Sequence, residues 1–204
     1  KLVLRLIDQE HRIISPNRAG AAWHECLLNL DAGFELGFLV FLGQNDSGAD
    51  GMCFVLHQEG NVGSNLVGVS GQGMGYGDGP FGATLMAIEI DTYRNTQYSD
   101  PGFDHIAMNT GGNVDHNLAG PVQADPNNGN IETGQTHLFE VSWNPADSLL
   151  EVHFNGVLRQ TMTLDLVGNI FNGNPLVNWG WTGTTGGATN VHSFCLGDAS
   201  YSTV

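Results

Sequence analysis

The chain has 204 residues, 29 of them glycine, and sets 21 acidic side chains against 6 basic ones, for a formal charge of -15 at pH 7. That length suits one all-β domain with a full hydrophobic core, so neither disulfides nor metals are needed merely to fold it. A field of that sign repels phosphate backbones and anionic lipid, which argues against nucleic acid and membrane insertion; no apolar run is long enough to span a bilayer.

Leu2 to Ile7, Ala22 to Leu30, Phe34 to Leu42 and Met52 to His57 are apolar or alternating runs bounded by turn residues, and each predicts a strand. The run from Phe34 to Phe41 is rich enough in aromatic and aliphatic residues to read as a strand buried between two sheets. A glycine-rich stretch, Gly68 to Gly82, separates these from strands expected at Leu85 to Asp91 and His105 to Asn109. The polar passage from Thr110 to Gln135 reads as loop with room for a short strand. From His137 to Leu164 the pattern is an antiparallel meander. His137 to Trp143 alternates, Asn144 to Asp147 turns, Leu149 to Phe154 alternates again, and Asn155-Gly156 is a hairpin dipeptide before Val157 to Leu164. Asp165 to Phe171 has room for one helical turn, and Leu176 to Trp181 and Asn190 to Leu196 close the chain as strands. Many short strands with regular turns predict an all-β fold: one antiparallel β-sandwich or jelly roll over residues 1–204. Cys26, Cys53 and Cys195 allow at most one internal bridge; each lies in an apolar stretch and reads as a buried free thiol.

The segment Glu89-Ile90-Asp91-Thr92-Tyr93-Arg94-Asn95, followed by Asp100 and His105, carries the chemistry. Glu89 and Asp91 sit two apart at the end of a strand, so both project from one face. That face should be core, and two carboxylates there need a partner that a cation would supply. Tyr93 and Asn95 continue the alternation into a loop, and Asp100 and His105 return the chain to the next strand. Hard oxygen donors suit calcium, which takes about six to eight of them. An imidazole among carboxylates suits a transition ion such as manganese. One set can serve two adjacent ions, with Asp91 and Asp100 bridging.

This segment, through Asp100-Pro101 and His105-Ile106, resembles the metal loop of the legume-type (L-type) lectins, with the same spacing throughout. The resemblance implies a concanavalin A-like sandwich. It implies that Glu89, Asp91, Asp100 and His105 hold manganese, and that Asp91, the Tyr93 carbonyl, Asn95 and Asp100 hold calcium. Three further segments are similar to the same family. Ala49-Asp50-Gly51 resembles its strand entry, where the aspartate accepts hydrogen bonds from sugar hydroxyls and the preceding peptide bond is cis. Gln72-Gly73-Met74-Gly75-Tyr76 resembles its glycine loop, with Gly75 as the implied backbone N–H donor. Gly180 to Gly186 and His192 resemble the loop before its last strand, which implies Gly187 and Ala188 at the sugar. Calcium would orient Asn95, Asp50 and Asn95 would form a fork for two adjacent hydroxyls, and Tyr93 would stack under the ring.

The passages Arg18 to Trp23 and Leu42 to Gly51 resemble bacterial L-type lectin domains of surface adhesins. The expectation is therefore a calcium-dependent glycan-binding module of a longer, secreted or cell-surface protein, and not an enzyme. Sandwiches of this family pair through exposed flat sheets, which leaves a homo-oligomer open. The rivals are a laminarinase-like glycoside hydrolase and an adhesion module that binds no sugar. The hydrolase needs a second acid shortly after Asp91, where this chain has Thr92, Tyr93, Arg94 and Asn95. The structural module would turn Asp50 away from the cleft.

Overall fold

The computed structural model describes residues 3–5, 15–58 and 66–201. Among these residues the strands, in chain order, are β1 (Val3–Arg5), β2 (Arg18–Trp23), β3 (Leu28–Asn29), β4 (Phe34–Phe41), β5 (Gly51–Gln58), β6 (Leu85–Asp91), β7 (His105–Thr110), β8 (Ala119–Gln123), β9 (Thr136–Asn144), β10 (Leu149–Phe154), β11 (Val157–Thr163), β12 (Leu176–Thr185) and β13 (Ser193–Tyr201). They form an antiparallel β-sandwich. The back sheet runs β1-β13-β4-β9-β10-β11; the front sheet runs β2-β12-β5-β6-β7-β8, with β3 pairing β12. One helical turn, α1 (Leu166–Asn169), fills the place expected for it, and the Asp165 side chain caps it by accepting from the Gly168 N–H.

The back sheet has one dry face. On β4, Phe34, Leu36, Phe38 and Val40 are buried while Glu35 and Leu39 are exposed. The expectation that this segment is covered on both faces is therefore corrected: its aromatic density serves a single face. Trp181 of β12 stands at the centre of the main core, 5.2 Å from Phe38, 5.3 Å from Phe139 and 5.4 Å from Phe194, ring centre to ring centre. The strands buried on both faces are β5, β6, β7 and β12 of the front sheet. Met52, Phe54, Leu56, Met86, Ile88 and Ile90 point into the main core. Cys53, Val55, Leu85 and Ala87 point the other way, into a second cluster closed by Met74, Tyr76 and Phe81. The glycine-rich stretch is thus a packed cover on the outside of the front sheet, not a free loop.

Other boundaries differ for local reasons. The run Ala22 to Leu30 divides into β2 and β3 because a turn intervenes, in which the Cys26 N–H donates to His24 Nδ1 at 3.1 Å and the Trp179 indole donates to the Cys26 carbonyl at 2.9 Å. β12 continues to Thr185 because its second half pairs with β2 on one side and β5 on the other. Two of its threonines face the glycine-rich cover, with Thr182 Oγ1 donating to the Met74 carbonyl at 2.8 Å and Thr184 Oγ1 to the Gly71 carbonyl at 3.0 Å. β13 starts at Ser193 and carries a bulge between Leu196 and Ala199. β8 is the short strand within the polar passage. Of the first expected strand, Leu2, Leu6 and Ile7 lie outside the described residues. All three cysteines are free; Cys53 is buried and Cys195 half-buried, but Cys26 is exposed, against expectation. No described helix is long and apolar enough to cross a membrane.

His192, between β12 and β13, is fully buried with neither ring nitrogen hydrogen-bonded. Burial pushes its pKa from the usual 6.5 down to about 4. Between those values the unfolded chain binds a proton that the folded chain does not, so stability falls as pH drops through this window. The expected loss is about 3 kcal/mol by the bottom of the window. Denaturant titrations at neutral pH and near pH 4 check it, with His192→Leu removing this share of the loss.

Candidate metal centre and adjoining cleft

Glu89 and Asp91 lie on the outer face of β6. Asp91 is paired with Gly51 on β5 and with His105 on β7. Opposed residues of an antiparallel ladder share a face, so His105 joins the two acids there. Gly51 has φ +139, and a Cβ at that position would run into the Ile90 carbonyl; only glycine lets the two backbones approach at this point.

The loop after β6 folds back on its own carboxylates. The Tyr93 N–H donates to Asp91 Oδ1 at 2.7 Å, and the Asn95 N–H donates to Asp100 Oδ2 at 2.5 Å. A 3-10 turn at Thr96–Tyr98 reverses the chain between them, and Arg94 Nε donates to the Asp100 carbonyl at 3.3 Å. Glu89, Asp91, Asp100 and His105 are 1%, 6%, 5% and 2% exposed, so the whole set is withdrawn from water. The ligating atoms of Asp91, Asp100 and His105 lie within 4.8 Å of one another.

A residue that sequence reasoning missed completes this set. His116 lies between β7 and β8, and its Nε2 is 3.2 Å from Glu89 Oε1 and 3.3 Å from Asp100 Oδ1. It sat in the passage read as loop, with no spacing that ties it to the Glu89–His105 segment. The fold alone brings it in.

The electrostatics state the problem the site poses. Burial, then the charges of Glu89 and Asp100, hold the Asp91 carboxyl well above the usual carboxylate range. Close polar contacts with the Asp100 and Glu89 carboxylates lift His116 to about 9, while burial lowers His105. Glu89 Oε2 accepts from the Tyr76 hydroxyl at 3.0 Å, and that hydroxyl accepts from Asn109 Nδ2 at 2.8 Å. Glu89 Oε1, equally buried, has no hydrogen-bond partner. Buried acids packed together are unfavourable unless a cation compensates them. An orphaned carboxylate oxygen among oxygen and imidazole donors fits a divalent ion.

Beside this cluster is a cleft of about 460 Å³, walled by Asp50, Gly71, Gln72, Tyr93, Asn95 and Gly186, with Gly187 and Ala188 at its edge. The structure thus gathers Asp50, Tyr93, Asn95, Gly187 and Ala188 at one place. The Ala49–Asp50 peptide is cis. Asp50 is held by its backbone: its N–H donates to the Thr184 carbonyl at 3.0 Å and its carbonyl accepts from the Thr92 N–H at 2.9 Å. Its side chain is buried, Oδ2 has no partner, and burial raises its carboxyl to about 6. A Cβ at Gly186 would stand 3.2 Å from that oxygen, so glycine keeps the approach open.

Gly75 is not on the cleft wall. Its N–H donates to the Val69 carbonyl at 3.0 Å, and it packs beneath Thr182. Gly71 and Gln72, earlier in the same segment, take the wall position instead.

Fold and site together define a two-sheet jelly-roll sandwich with a carboxylate–imidazole cluster beside a cleft. The family model described as "Legume lectin beta-barrel domain" matches residues 8–198, and the chain belongs to that family. Solved structures agree in fold. Basic winged bean lectin with Tn-antigen superposes with a TM-score of 0.79 at 21% identity, over 98% of this chain and 87% of that one. The lectin from Bauhinia forficata in complex with GalNAc gives 0.75 at 19%, over 99% and 87%. Lectin I-B4 from Griffonia simplicifolia, in a metal-free form, gives 0.75 at 20%, over 99% and 88%.

Ligating acids must be deprotonated, and the raised pKa of Asp91 lets protons compete at higher pH than at an ordinary carboxylate. Affinity for a divalent cation is therefore expected to weaken at least about tenfold between neutral pH and about pH 5. Calorimetry at the two pH values checks this.

Proposed function

We propose that the chain is a calcium-dependent carbohydrate-binding module without catalytic activity, which takes a saccharide in the cleft between Asp50, Tyr93 and Asn95. The observation that carries this reading is the Asp50 carboxylate: buried at the cleft wall, anchored through its backbone, and with one oxygen free of hydrogen bonds. Such a fixed acceptor beside the Asn95 carboxamide is what two adjacent sugar hydroxyls require. Tyr93, 42% exposed, offers its ring to the apolar face of a sugar. Gly71 replaces Gly75 as the backbone donor in this proposal, and Gly187 and Ala188 border the sugar from the far side.

Asp91, the Tyr93 carbonyl, Asn95 and Asp100 would hold calcium, and Glu89, Asp91, Asp100 and His105 a transition ion such as manganese. A bound cation would neutralise the buried acids and stiffen the loop that presents Tyr93 and Asn95. The hydrogen bond from the Asn95 N–H to Asp100 supports this coupling, because one short segment serves cluster and cleft together. That two relatives of the same fold were solved with Tn-antigen and GalNAc supports the ligand class.

The hydrolase reading is disfavoured by the cleft itself. Retaining glycosidases place two carboxyl groups about 5–5.5 Å apart across the sugar, and Asp50 is the one carboxylate among the described lining residues. The non-binding module is disfavoured because Asp50 lines the cleft. A secreted or cell-surface setting and a role in adhesion belong to the same proposal; a site of this kind works where free calcium is high, as outside cells.

A glycan array probed with and without chelator tests the reading. Binding in calcium, abolished by chelator and by Asp50→Ala, is expected, with the calcium affinity of the variant within about threefold of the parent, since Asp50 lies outside the proposed ligand set. Sugar binding that survives Asp50→Ala would place the ligand elsewhere.

A further inference from the structure

The Glu89–His105 segment supplies one imidazole to the cluster; the fold brings a second. The His116 side chain is 6% exposed, and its residue adopts φ +58 in a tight turn. Asn117 pins that turn: its N–H donates to Asn109 Oδ1 at 3.1 Å, and its Oδ1 accepts from the Thr110 N–H at 2.9 Å. The backbone that carries the ring is therefore anchored immediately after it.

His116 Nε2 faces three ligating atoms at once: Glu89 Oε1 at 3.2 Å, Asp100 Oδ1 at 3.3 Å and His105 Nε2 at 3.3 Å. A ring nitrogen carries one proton or one in-plane lone pair, so it serves one such partner well and not three. Glu89 Oε1 is the atom left without a hydrogen bond. Ligands held at about 2.1 Å by one ion stand roughly 3.0–3.4 Å apart in octahedral or tetrahedral arrangements. The three separations around His116 Nε2 fall in that interval.

We propose that His116 is a direct ligand of the ion held by Glu89 and His105, so that this site carries two imidazoles and selects zinc, cobalt or nickel over manganese. The inference rests on the metal-bound reading of the same cluster. Carboxylate and water donors suit manganese, whereas imidazole suits zinc and nickel, so a second imidazole moves the selection toward the later ions.

Protein stripped of metal and reloaded with calcium is titrated calorimetrically with Zn2+ and separately with Mn2+, as wild type and as His116→Gln, with the fold of the variant checked by its melting curve. Wild type is expected to bind Zn2+ at least about tenfold tighter than Mn2+, and His116→Gln to lose at least about tenfold in Zn2+ affinity. Pulsed EPR of the Cu2+-loaded wild type needs no variant and is expected to resolve two coupled imidazoles. A single coupled imidazole, or a folded His116→Gln with unchanged Zn2+ affinity, overturns the role of His116 and leaves the calcium-dependent lectin reading standing. A wild type that takes up neither Zn2+ nor Mn2+ overturns this proposal together with the transition-ion part of that reading, whereas the glycan array decides sugar binding independently.

Discussion

The arrangement turns on three carboxylates, Glu89, Asp91 and Asp100, buried side by side on the outer face of the front sheet. Like charges withdrawn from water are tolerated only with compensation, and the surroundings supply part of it. Backbone N–H groups of Tyr93 and Asn95 bond to two of the acids, the Tyr76 hydroxyl bonds to the third, and His116 lies against two of them. One oxygen of Glu89 has no hydrogen bond, and the His116 ring lies against it. The same loop that answers this demand also walls the cleft, so the cleft's shape depends on how the acids are neutralised.

The second hydrophobic cluster explains how such a site stays dry. Most lectin-type ligand contacts proposed here come from loops, and loops alone do not hold side chains in place. The cover formed by the glycine-rich segment packs Met74, Tyr76 and Phe81 onto Cys53, Val55 and Ala87. Thr182 and Thr184 of β12 tie the same cover to the sheet through backbone carbonyls. Tyr76 belongs to both systems, with its ring in the apolar cluster and its hydroxyl on Glu89. Packing on one side of the front sheet is thereby coupled to electrostatics at its end. Glycine is needed at Gly51 to bring two backbones closer than any side chain would permit, and Gly186 leaves the Asp50 carboxylate uncrowded.

Local pattern determined a good deal. Period-two alternation and turn dipeptides located the meander β9–β10–β11, the strands β6 and β7 and the single turn of α1, because each is specified by neighbours within a few residues. Glu89, Asp91, Asp100 and His105 were legible for the same reason: strand alternation and one short loop put them on a common face. What only the tertiary structure decided depends on contacts between distant segments. That β4 buries one face and β5 both follows from which sheet each joins and from what covers it. Gly75 is spent on Val69 while Gly71 and Gln72 face the cleft, because the glycine-rich segment bonds to itself in a register that composition does not reveal. His116 reaches the acids only because β7 pairs with β6 and the following turn folds back over them. Short-range periodicity fixes which side chains share a face; long-range pairing fixes which faces meet, and it is written in no single stretch of the chain.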